Sequence, residues 1–402
     1  MDLIFVTNAR FSKARNGHIY GYHTSLKYAT FLPYLKVFDR VKIIARVEAT
    51  GDSFEESLRI DLDNIEILPV PYFLGPKQYI TKAYKIRSVI RGYVKGKEAI
   101  ICRIPGTLGR LAANEAKKIK KPYGVEVAAD PFDVFASGSF KHPLRPFLKY
   151  FATSQLRKNL LSASAAIYVT AHQLQTRYPV RKGVFQTYAS NVILPPDAFA
   201  PFPKKWKNKK DYTIVVVGSL SQMYKAPDVL IRALNEIREG NSKVRLTLYW
   251  LGGGKFKSEM VELAASLNMS DDIYFEGLVH PTEKVREYLD KADLFVLPSR
   301  TEGLPRAMIE AMARGLPCIG TDVGGIPELL PTEAMIPINS HQSLALKIEE
   351  FLINENSYNI NALKNFEKSQ EFSSELLDQR KVSFYKKVKE LALDYNSTCL
   401  KK

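Results

Sequence analysis

The sequence predicts an α/β protein of two domains, each built on a doubly wound parallel sheet with helices on both faces. Short β-branched runs alternate with longer amphipathic stretches along the whole chain of 402 residues. Strands that alternate with helices of this length form strand–helix–strand units, whose strands lie parallel. The chain is too long for one typical hydrophobic core and suits two.

The first series of elements occupies residues 1–206. Strands are predicted over its short apolar runs, which are Leu3–Thr7, Val41–Val47, Ile65–Pro69, Ala99–Arg103, Tyr123–Ala128, Ala165–Val169 and Val184–Tyr188. Helices are predicted over amphipathic stretches between them, which are Tyr79–Val94, Gly109–Ile119 and Pro146–Ala163.

The second series occupies residues 207–372. Its predicted strands are Thr213–Val217, Arg245–Leu251, Ile273–Glu276, Leu294–Leu297, Cys318–Thr321 and Met335–Pro337. Its predicted helices are Ala226–Glu239, Lys255–Leu267, Thr282–Lys291 and Pro305–Arg314. A further long amphipathic helix is predicted over Ser373–Leu393, inside a C-terminal segment of residues 373–402.

The break between the two series is predicted at the proline-rich segment Pro195–Pro203 and the basic run Lys204–Lys210 that follows it. Neither segment can continue a helix or a central strand. Two doubly wound domains joined there are expected to face each other across a cleft. Ligands bind at the carboxyl ends of strands in open α/β sheets, so the cleft is the expected site.

The excess of positive over negative charge is confined to the first half of the chain. Residues 1–206 carry 32 Lys and Arg against 15 Asp and Glu, whereas residues 207–402 carry 26 against 27. One interpretation is a solvated basic surface. The other is contact with a polyanion, such as an anionic membrane or a pyrophosphate-linked acceptor. Nucleic acid is not expected as a partner, because no zinc-finger spacing, aromatic RNA-binding signature or basic-plus-heptad segment is present.

The sequence shows no sign of secretion or membrane insertion. The apolar opening Met1–Val6 has no basic n-region and no small-residue cleavage site, and no apolar run reaches about 18 residues. The cysteines Cys102, Cys318 and Cys399 lack metal-ligand spacing, and an odd number argues against a disulfide framework. We therefore expect a cytoplasmic protein. If the basic first half contacts an anionic membrane, the protein would associate peripherally with the inner face of that membrane.

The densest candidate chemistry follows the predicted strand that ends at Leu297. A loop carries Glu302, and a helix is predicted to start with Pro305 as its first residue. The amides after Pro305 are then unpaired donors at the positive end of a helix, which is a natural seat for a phosphate. Glu310, one turn further, could accept hydrogen bonds from ribose hydroxyls.

This interpretation has a simpler alternative. Two glutamates eight residues apart occur by chance in a charged chain, and a glutamate in a first helical turn can merely complement the helix dipole. The strand–loop–helix context is what favours a functional role for Glu302 and Glu310.

Three further loops are expected at the same sheet edge. In the loop Gly218–Ala226, Lys225 precedes a helix start and could contact a diphosphate, although an exposed loop lysine is the alternative. Gly252–Gly254 permits close backbone approach, or forms only a turn. Gly277–His280 could offer backbone groups to a base, or simply end a strand.

These stretches together resemble retaining glycosyltransferases of the GT-B fold, the large family that includes bacterial capsule, lipopolysaccharide and phosphatidylinositol mannosyltransferases. The resemblance runs from about Tyr212 to Leu330. Its most specific part is the sequence from Glu302-Gly303 through Glu310 to Leu316-Pro317, followed by Gly324-Gly325-Ile326-Pro327-Glu328. Over residues 1–206 the resemblance is only architectural.

The resemblance implies a role for each matching residue. Glu302 would contact the donor sugar and act in catalysis, Glu310 would bind the nucleotide ribose, and Lys225 would neutralise the leaving diphosphate. Backbone groups would hold the rest of the donor, and the residues that supply them are Gly17, Gly218, Ser219, Gly253, Val279, Gly303, Leu304, Arg306 and Ala307. No metal ion and no cofactor beyond the nucleoside diphosphate sugar is implied.

The sequence departs from the family pattern in four places. Ser219 stands where an arginine is usual, so Arg300 or Arg306 would have to compensate. Pro305 removes an amide that many members present to the sugar. Only Gly17 remains of the glycine pair after the first strand. Asp130 stands near the usual histidine, as a substitute catalytic residue or as a turn-capping aspartate before a proline.

The implied reaction is transfer of a sugar, with retained anomeric configuration, to a glycan or lipid-linked acceptor in cell-surface polysaccharide synthesis. Residues 1–206 would bind the acceptor, and the C-terminal helix would cross back to them. A catalytically silent sugar-nucleotide-binding subunit is one alternative, favoured by the missing arginine and histidine. A sugar-nucleotide epimerase of the same fold is another, although it would need clustered carboxylates and histidines.

Overall fold

The structure is a computed structural model. It describes residues 1–21, 28–50, 52, 54–134, 145–240 and 244–400, with the backbone alone at 133, 134, 145 and 400. The chain divides into two compact units, Met1–Asn191 with Asp378–Lys402, and Val192–Leu377. Within the described ranges, no helix is both long and apolar enough to cross a bilayer.

The first unit contains a sheet that is parallel except for one hairpin partner. Its strands are β1 (Leu3–Lys13), β2 (Ile19–Gly21), β3 (Val41–Ala49), β4 (Ile65–Val70), β5 (Ala99–Ile104), β6 (Gly124–Val127), β7 (Ala165–Tyr168) and β8 (Phe185–Tyr188). Its helices are α1 (Leu32–Leu35), α2 (Gly75–Val94), α3 (Thr107–Lys118), α4 (Pro131–Val134), α5 (Arg145–Leu160) and α6 (Gln173–Arg177).

The second unit contains a wholly parallel sheet. Its strands are β9 (Asp211–Val217), β10 (Arg245–Leu251), β11 (Ile273–Gly277), β12 (Leu294–Leu297), β13 (Cys318–Thr321) and β14 (Met335–Ile336). Its helices are α7 (Pro227–Glu239), α8 (Lys257–Ser266), α9 (Thr282–Lys291), α10 (Arg306–Ala313), α11 (His341–Ile353) and α12 (Glu355–Ser369). The last helix of the chain is α13 (Ser374–Leu400).

Both sheets reverse their strand order beside their first strand. The described strands run β4-β3-β1-β5-β6-β7-β8 in the first unit, with β2 beside β1, and β11-β10-β9-β12-β13-β14 in the second. In open α/β sheets, the loops at the carboxyl ends of the strands at such a reversal form the usual ligand site. Each unit therefore has one preferred site, between β1 and β5 and between β9 and β12.

The first strand is longer than the sequence predicts. It continues past Thr7 to Lys13, although its register against β3 shifts between Val6 and Arg10. The extension is stable because Phe11, Ser12 and Lys13 also pair with the antiparallel strand β2, which the sequence did not predict. The other predicted strands lie within one or two residues of the observed ones.

The proline-rich segment is part of the second unit, which begins at Val192 and not at residue 207. The Ala200 amide donates to the Ala313 carbonyl at 2.8 Å, and the Lys204 amide donates to the Gly315 carbonyl at 2.9 Å. The Trp206 indole donates to the Leu352 carbonyl at 2.7 Å. Apart from a short 3-10 helix at Pro196–Ala198, the segment contains no helix or strand, as its prolines predict, but its backbone is hydrogen-bonded to the core of this unit.

The end of the chain is more helical than the sequence predicts. Helices α11 and α12 were not predicted, and α13 runs to Leu400 instead of Leu393. From Asp378 onward the chain belongs to the first unit. There the Tyr385 ring stacks on Tyr34 with centroids 4.4 Å apart, and the Lys389 ammonium donates to the Val37 carbonyl at 2.7 Å.

Candidate functional site

Two charged residues from separate loops meet where the strand order of the second unit reverses. Lys225 follows β9 and Glu302 follows β12, and their side chains form an ion pair. Lys225 is only 8% exposed, so it is not the exposed loop lysine of the simpler interpretation. The hydroxyl of the buried Ser299 donates to Glu302 Oε1 at 2.7 Å and orients the carboxylate.

Arg300 fixes the loop that carries Lys225. Its guanidinium makes a bidentate ion pair with Asp228, at 3.0 and 2.7 Å, and donates to the Met223 carbonyl at 2.7 Å. It also donates to Asn339 Oδ1 at 2.7 Å, and its amide donates to the Tyr224 carbonyl at 2.7 Å. The Arg300 side chain thus holds this loop in place and is fully paired. It does not provide the free cation that the arginine missing at Ser219 would provide.

The backbone next to Lys225 adopts a left-handed conformation at Ala226. Ala226 is fully buried and has a φ of 51°, which is uncommon for a residue with a side chain. A Cβ at Gly218 would lie 3.2–3.4 Å from the carbon atoms of the Lys225 stem. Burial and, after it, the negative charge of Glu302 raise the pKa of Tyr224, the residue before Lys225.

The loop of Glu302 is held by the glycine pair at 324 and 325. A Cβ at Gly324 would lie 1.9 Å from the Glu302 carbonyl oxygen, and φ there is +55°. The Gly325 amide donates to the Gly303 carbonyl at 2.9 Å. Only glycine permits this approach of two backbones, which gives a physical reason for the glycines in the motif.

The three glycine-containing loops also contact one another through their backbones. The Gly218 amide donates to the Leu251 carbonyl at 2.9 Å, and the Leu220 amide donates to the Gly253 carbonyl at 2.9 Å. The Gly252 amide donates to the Gly277 carbonyl at 2.7 Å. A Cβ at Gly252 would lie 2.1 Å from the Gly218 carbonyl oxygen. The glycines therefore do more than end strands, because they allow these loops to pack together.

Ser219 takes part in the same contact. Its hydroxyl donates to the Gly253 carbonyl at 3.2 Å and accepts from the Ser221 amide at 3.1 Å. The side chain that stands in place of the family's arginine thus joins two loops.

Helix α10 begins one residue later than predicted. Pro305 has a ψ of 106° and is the extended N-cap residue, so Arg306 is the first helical residue. The prediction that Pro305 opens the helix is therefore wrong. The first amides of the helix, on Arg306 and Ala307, still have no partner within the helix and can bind an anion.

Glu310 is paired with the residue one turn before it. Arg306 Nε donates to Glu310 Oε1 at 2.8 Å, and their side chains are 67% and 18% exposed. Because the Arg306 side chain is exposed and the pair joins neighbouring turns of one helix, the interaction is weak, and hydroxyl groups of a ligand can compete for the carboxylate. Arg306 is therefore a partner of Glu310 and not a second buried cation beside Lys225.

Three further donor-site candidates of the second unit are apolar or lack a side chain. Val279 and Leu304 are half-buried and pack against the core of this unit. Gly303 has open space where a side chain would stand.

Two predicted residues lie in the first unit, Gly17 and Asp130. Gly17 occupies the hairpin turn between β1 and β2, with a φ of +85°. Asp130 accepts hydrogen bonds from the Phe132 amide at 2.8 Å and from the Tyr178 hydroxyl at 2.6 Å, and it pairs with Arg177. This carboxylate caps a turn, as the alternative interpretation has it, and it also joins this turn to Arg177 and Tyr178.

Comparison with known proteins points to one family. The family model for glycosyl transferases group 1 matches residues 199–370, the region that contains Lys225, Glu302 and Glu310. Residues 199–370 therefore belong to this family.

Relatives extend the similarity of this glycosyltransferase beyond that region. It is 28% identical to Protein CapJ of Staphylococcus aureus over 369 residues, which cover 91% of this chain and 90% of CapJ. It is 32% identical to the putative colanic acid biosynthesis glycosyltransferase WcaL of Escherichia coli, over 38% of this chain and 39% of WcaL.

Solved structures show the fold of the whole glycosyltransferase. The lipopolysaccharide outer core galactosyltransferase WaaB matches 94% of this chain and 98% of its own, with a TM-score of 0.62 and 14% identity. Sucrose-phosphate synthase from Thermosynechococcus elongatus matches 96% and 99%, with a TM-score of 0.61 and 15% identity. The two doubly wound sheets thus form a GT-B fold, as the sequence predicts.

Proposed function

We propose that this glycosyltransferase moves a sugar from a nucleoside diphosphate sugar to a hydroxyl of a glycan or lipid-linked acceptor, with retained anomeric configuration. The observation that carries the proposal is the buried pair of Lys225 and Glu302, placed beside the start of α10. A cation, a carboxylate and a helix N-terminus together complement a sugar diphosphate.

Each part of the donor has a residue that fits its chemistry. The Glu310 carboxylate accepts hydrogen bonds from the ribose hydroxyls, and the amides of Arg306 and Ala307 hold the phosphate next to the sugar. Lys225 contacts the diphosphate, and Glu302 accepts hydrogen bonds from sugar hydroxyls. The donor would thereby separate the Lys225–Glu302 pair, so that each charge exchanges one partner for another.

Catalysis then rests on charge stabilisation. The bond between C1 of the sugar and the phosphate oxygen breaks, and negative charge grows on the diphosphate. The Lys225 ammonium and the amides of α10 stabilise this charge, so the proposal assigns no role to a divalent cation. Preorganised groups of this kind usually make the largest single contribution to catalysis. The acceptor oxygen bonds to C1 on the same face, and its proton passes to the departing diphosphate.

The names of related proteins support a role in cell-surface polysaccharide synthesis. WcaL is described as a colanic acid biosynthesis enzyme, and TuaC of Bacillus subtilis, 48% identical over 67 residues, as a putative teichuronic acid biosynthesis glycosyltransferase. The similar structure of Anabaena HepE, with a TM-score of 0.58, is a complex with UDP and glucose. UDP-sugars are therefore the first donors to test.

The proposal includes peripheral contact with an anionic membrane at its cytoplasmic face. Helix α2 exposes Ile80 and Tyr84 among lysines, and α5 exposes Phe147 and Tyr150. Exposed apolar and aromatic side chains flanked by basic residues suit a lipid headgroup layer. Co-sedimentation with vesicles tests it, and equal recovery with neutral and with anionic lipid would contradict it.

The test of the reaction is release of nucleoside diphosphate by the purified full chain, with candidate UDP-, GDP- and TDP-sugars. Lys225→Gln should lower turnover by about 10²–10³-fold, the usual effect of losing one charge-stabilising group. Lys291→Gln, at an exposed position on α9, is the matched control and should leave turnover unchanged. Donor binding without turnover, across donors and acceptors, would instead indicate a silent binding subunit.

A further inference from the structure

The first unit contains a cavity of about 440 Å³ at the point where its own strand order reverses. The cavity lies at the carboxyl ends of β5 and β6 and beside Asn8 of β1, and α3 and α5 contribute to its walls. Its volume is within the range of roughly 300–1,000 Å³ that small-molecule sites occupy. The sequence singled out Asp130, which lies between the lining residues Ala129 and Pro131, but no pattern in the sequence pointed to the cavity itself.

The start of α3 lines the cavity at Gly106 and Thr107. The side chain of Asn8, in the shifted part of β1, accepts a hydrogen bond from the Leu108 amide at 2.9 Å and ties the two elements together. The amide of Thr107, the first helical residue, has no partner within the helix. A helix N-terminus carries a partial positive charge, which favours an anion.

A second and independent feature is a buried amide side chain that lacks a partner. Asn159 on α5 lines the cavity and is only 3% exposed. Its backbone carbonyl accepts a hydrogen bond from Tyr123, but its side-chain amide has no hydrogen-bond partner among the described residues. Buried polar groups in folded proteins are nearly always bonded, so this amide indicates a ligand or an ordered water in the cavity.

Two more unpaired polar side chains share this wall. Gln155 lies one turn before Asn159 on α5, and Arg110 lies one turn into α3. Within the part of the chain that the structure describes, neither side chain forms a hydrogen bond or an ion pair. The Arg110 guanidinium lies 6.0 Å from the ring centroid of Phe151, which also lines the cavity.

The lining defines the chemistry of the ligand. Side-chain amides both donate and accept hydrogen bonds, as sugar hydroxyls do. The Phe151 ring and the apolar residues Ile104 and Leu156 suit the carbon–hydrogen face of a sugar ring. Arg110 and the start of α3 supply positive charge for a carboxylate or a phosphate.

We propose that this cavity binds an anionic saccharide, a hydroxylated ring that carries a carboxylate or a phosphate group. That this saccharide belongs to the acceptor rests on the proposed function. Its binding does not, because the residues that line the cavity all belong to the first unit.

The binding test uses the full chain without a donor and measures dissociation constants by calorimetry or ligand-observed NMR. The probes are glucuronate and galacturonate, glucose 1-phosphate, glucose and inorganic phosphate. At least one anionic saccharide should bind at least tenfold tighter than both glucose and inorganic phosphate. The uronate and sugar-phosphate arms tell which anionic group is preferred. Equal binding of glucose, or phosphate binding as tight as the sugar phosphate, would overturn the proposal.

Three variants locate the binding. Arg110→Gln should remove the tenfold preference for the anionic saccharide over glucose. Lys117→Gln, near the end of the same helix, should keep this preference. Asn159→Leu should weaken every saccharide without lowering the melting temperature, because it replaces an unpaired amide by an apolar group of similar size. Retained affinity in both Arg110→Gln and Asn159→Leu would contradict the assignment. Saccharide binding without donor turnover would refute only the proposed function.

Discussion

The two units differ in how their reversal points are built. In the second unit the candidate charges are already paired, Lys225 with Glu302 and Arg306 with Glu310, and the loops meet through glycine backbones. In the first unit the cavity is lined by polar side chains without partners, among them Arg110 and Asn159. A site built from close backbone contacts admits few sequences, whereas a site built from side chains can change its ligand by substitution.

The backbone contact at Gly324 gives the largest expected effect. Gly324→Ala would place a Cβ 1.9 Å from the Glu302 carbonyl oxygen at a positive φ, and we expect a loss of about 3 kcal/mol in unfolding free energy. Gly183→Ala in the first unit is the matched control. It has a φ of +85° but no atom within 4 Å, so the expected loss is about 1 kcal/mol. Urea unfolding of both variants measures the difference, and equal losses would show that the close approach does not matter.

The first unit also contains paired charges, but they lie away from its cavity, in a cluster around Glu115. The stability that this cluster contributes should depend on pH. Burial alone would raise the pKa of Glu115, but hydrogen bonds from Lys118, Arg87 and Arg91 lower it to about 2. A carboxyl group with a lowered pKa stabilises the fold above its unfolded pKa of about 4.3, and this stabilisation declines as pH falls toward 2.

Glu115→Gln should therefore cost about 2 kcal/mol at pH 7, and the difference from the unsubstituted chain should shrink below pH 4.3. Unfolding midpoints measured from pH 7 to pH 3 provide the test. A difference that stays constant over this range would mean that the carboxylate charge is not what stabilises the cluster.

Arg300 and Arg110 provide the direct contrast between a paired and an unpaired arginine. Arg300→Lys loses the bidentate pair with Asp228, and misplacement of the Lys225 loop should lower kcat about tenfold, with a smaller change in KM. Arg110→Lys has no pair to lose and should leave the melting temperature unchanged. An Arg300→Lys enzyme with full kcat would show that the clamp does not position Lys225.

The sequence predicted the strands of the second unit more closely than those of the first, although it missed two helices of the second unit. Strands β10, β12 and β13 were predicted at their observed bounds, because short apolar runs mark strands that are buried on both faces of a parallel sheet. Helix α9 was also predicted at its observed bounds. The end of β1 was missed because polar residues follow Val6, and the strand is prolonged by pairing with β2. Helices α11 and α12 were not predicted at all.

The same contrast holds for the sites. Lys225, Glu302 and the glycines were predicted because they lie in short motifs between recognisable strands and helices. The pair of Arg300 with Asp228 joins a loop residue to the first turn of α7, which are far apart in the sequence, so no local pattern indicates it. Arg110, Gln155 and Asn159 are brought together by two helices of the first unit, and each is an ordinary polar residue in its own helix. Asp130 was selected by position alone, and one of its contacts is that of a turn cap.

The binding of a nucleoside diphosphate to the second unit tests the account most directly. Calorimetry with the tightest-binding of UDP, GDP and TDP would compare the unsubstituted chain with Glu310→Gln and Arg306→Gln. We predict at least tenfold weaker binding for Glu310→Gln, since ribose hydroxyls lose a charged acceptor, and a change of less than about threefold for the exposed Arg306→Gln. Unchanged affinity in Glu310→Gln would contradict the donor site proposed for this glycosyltransferase.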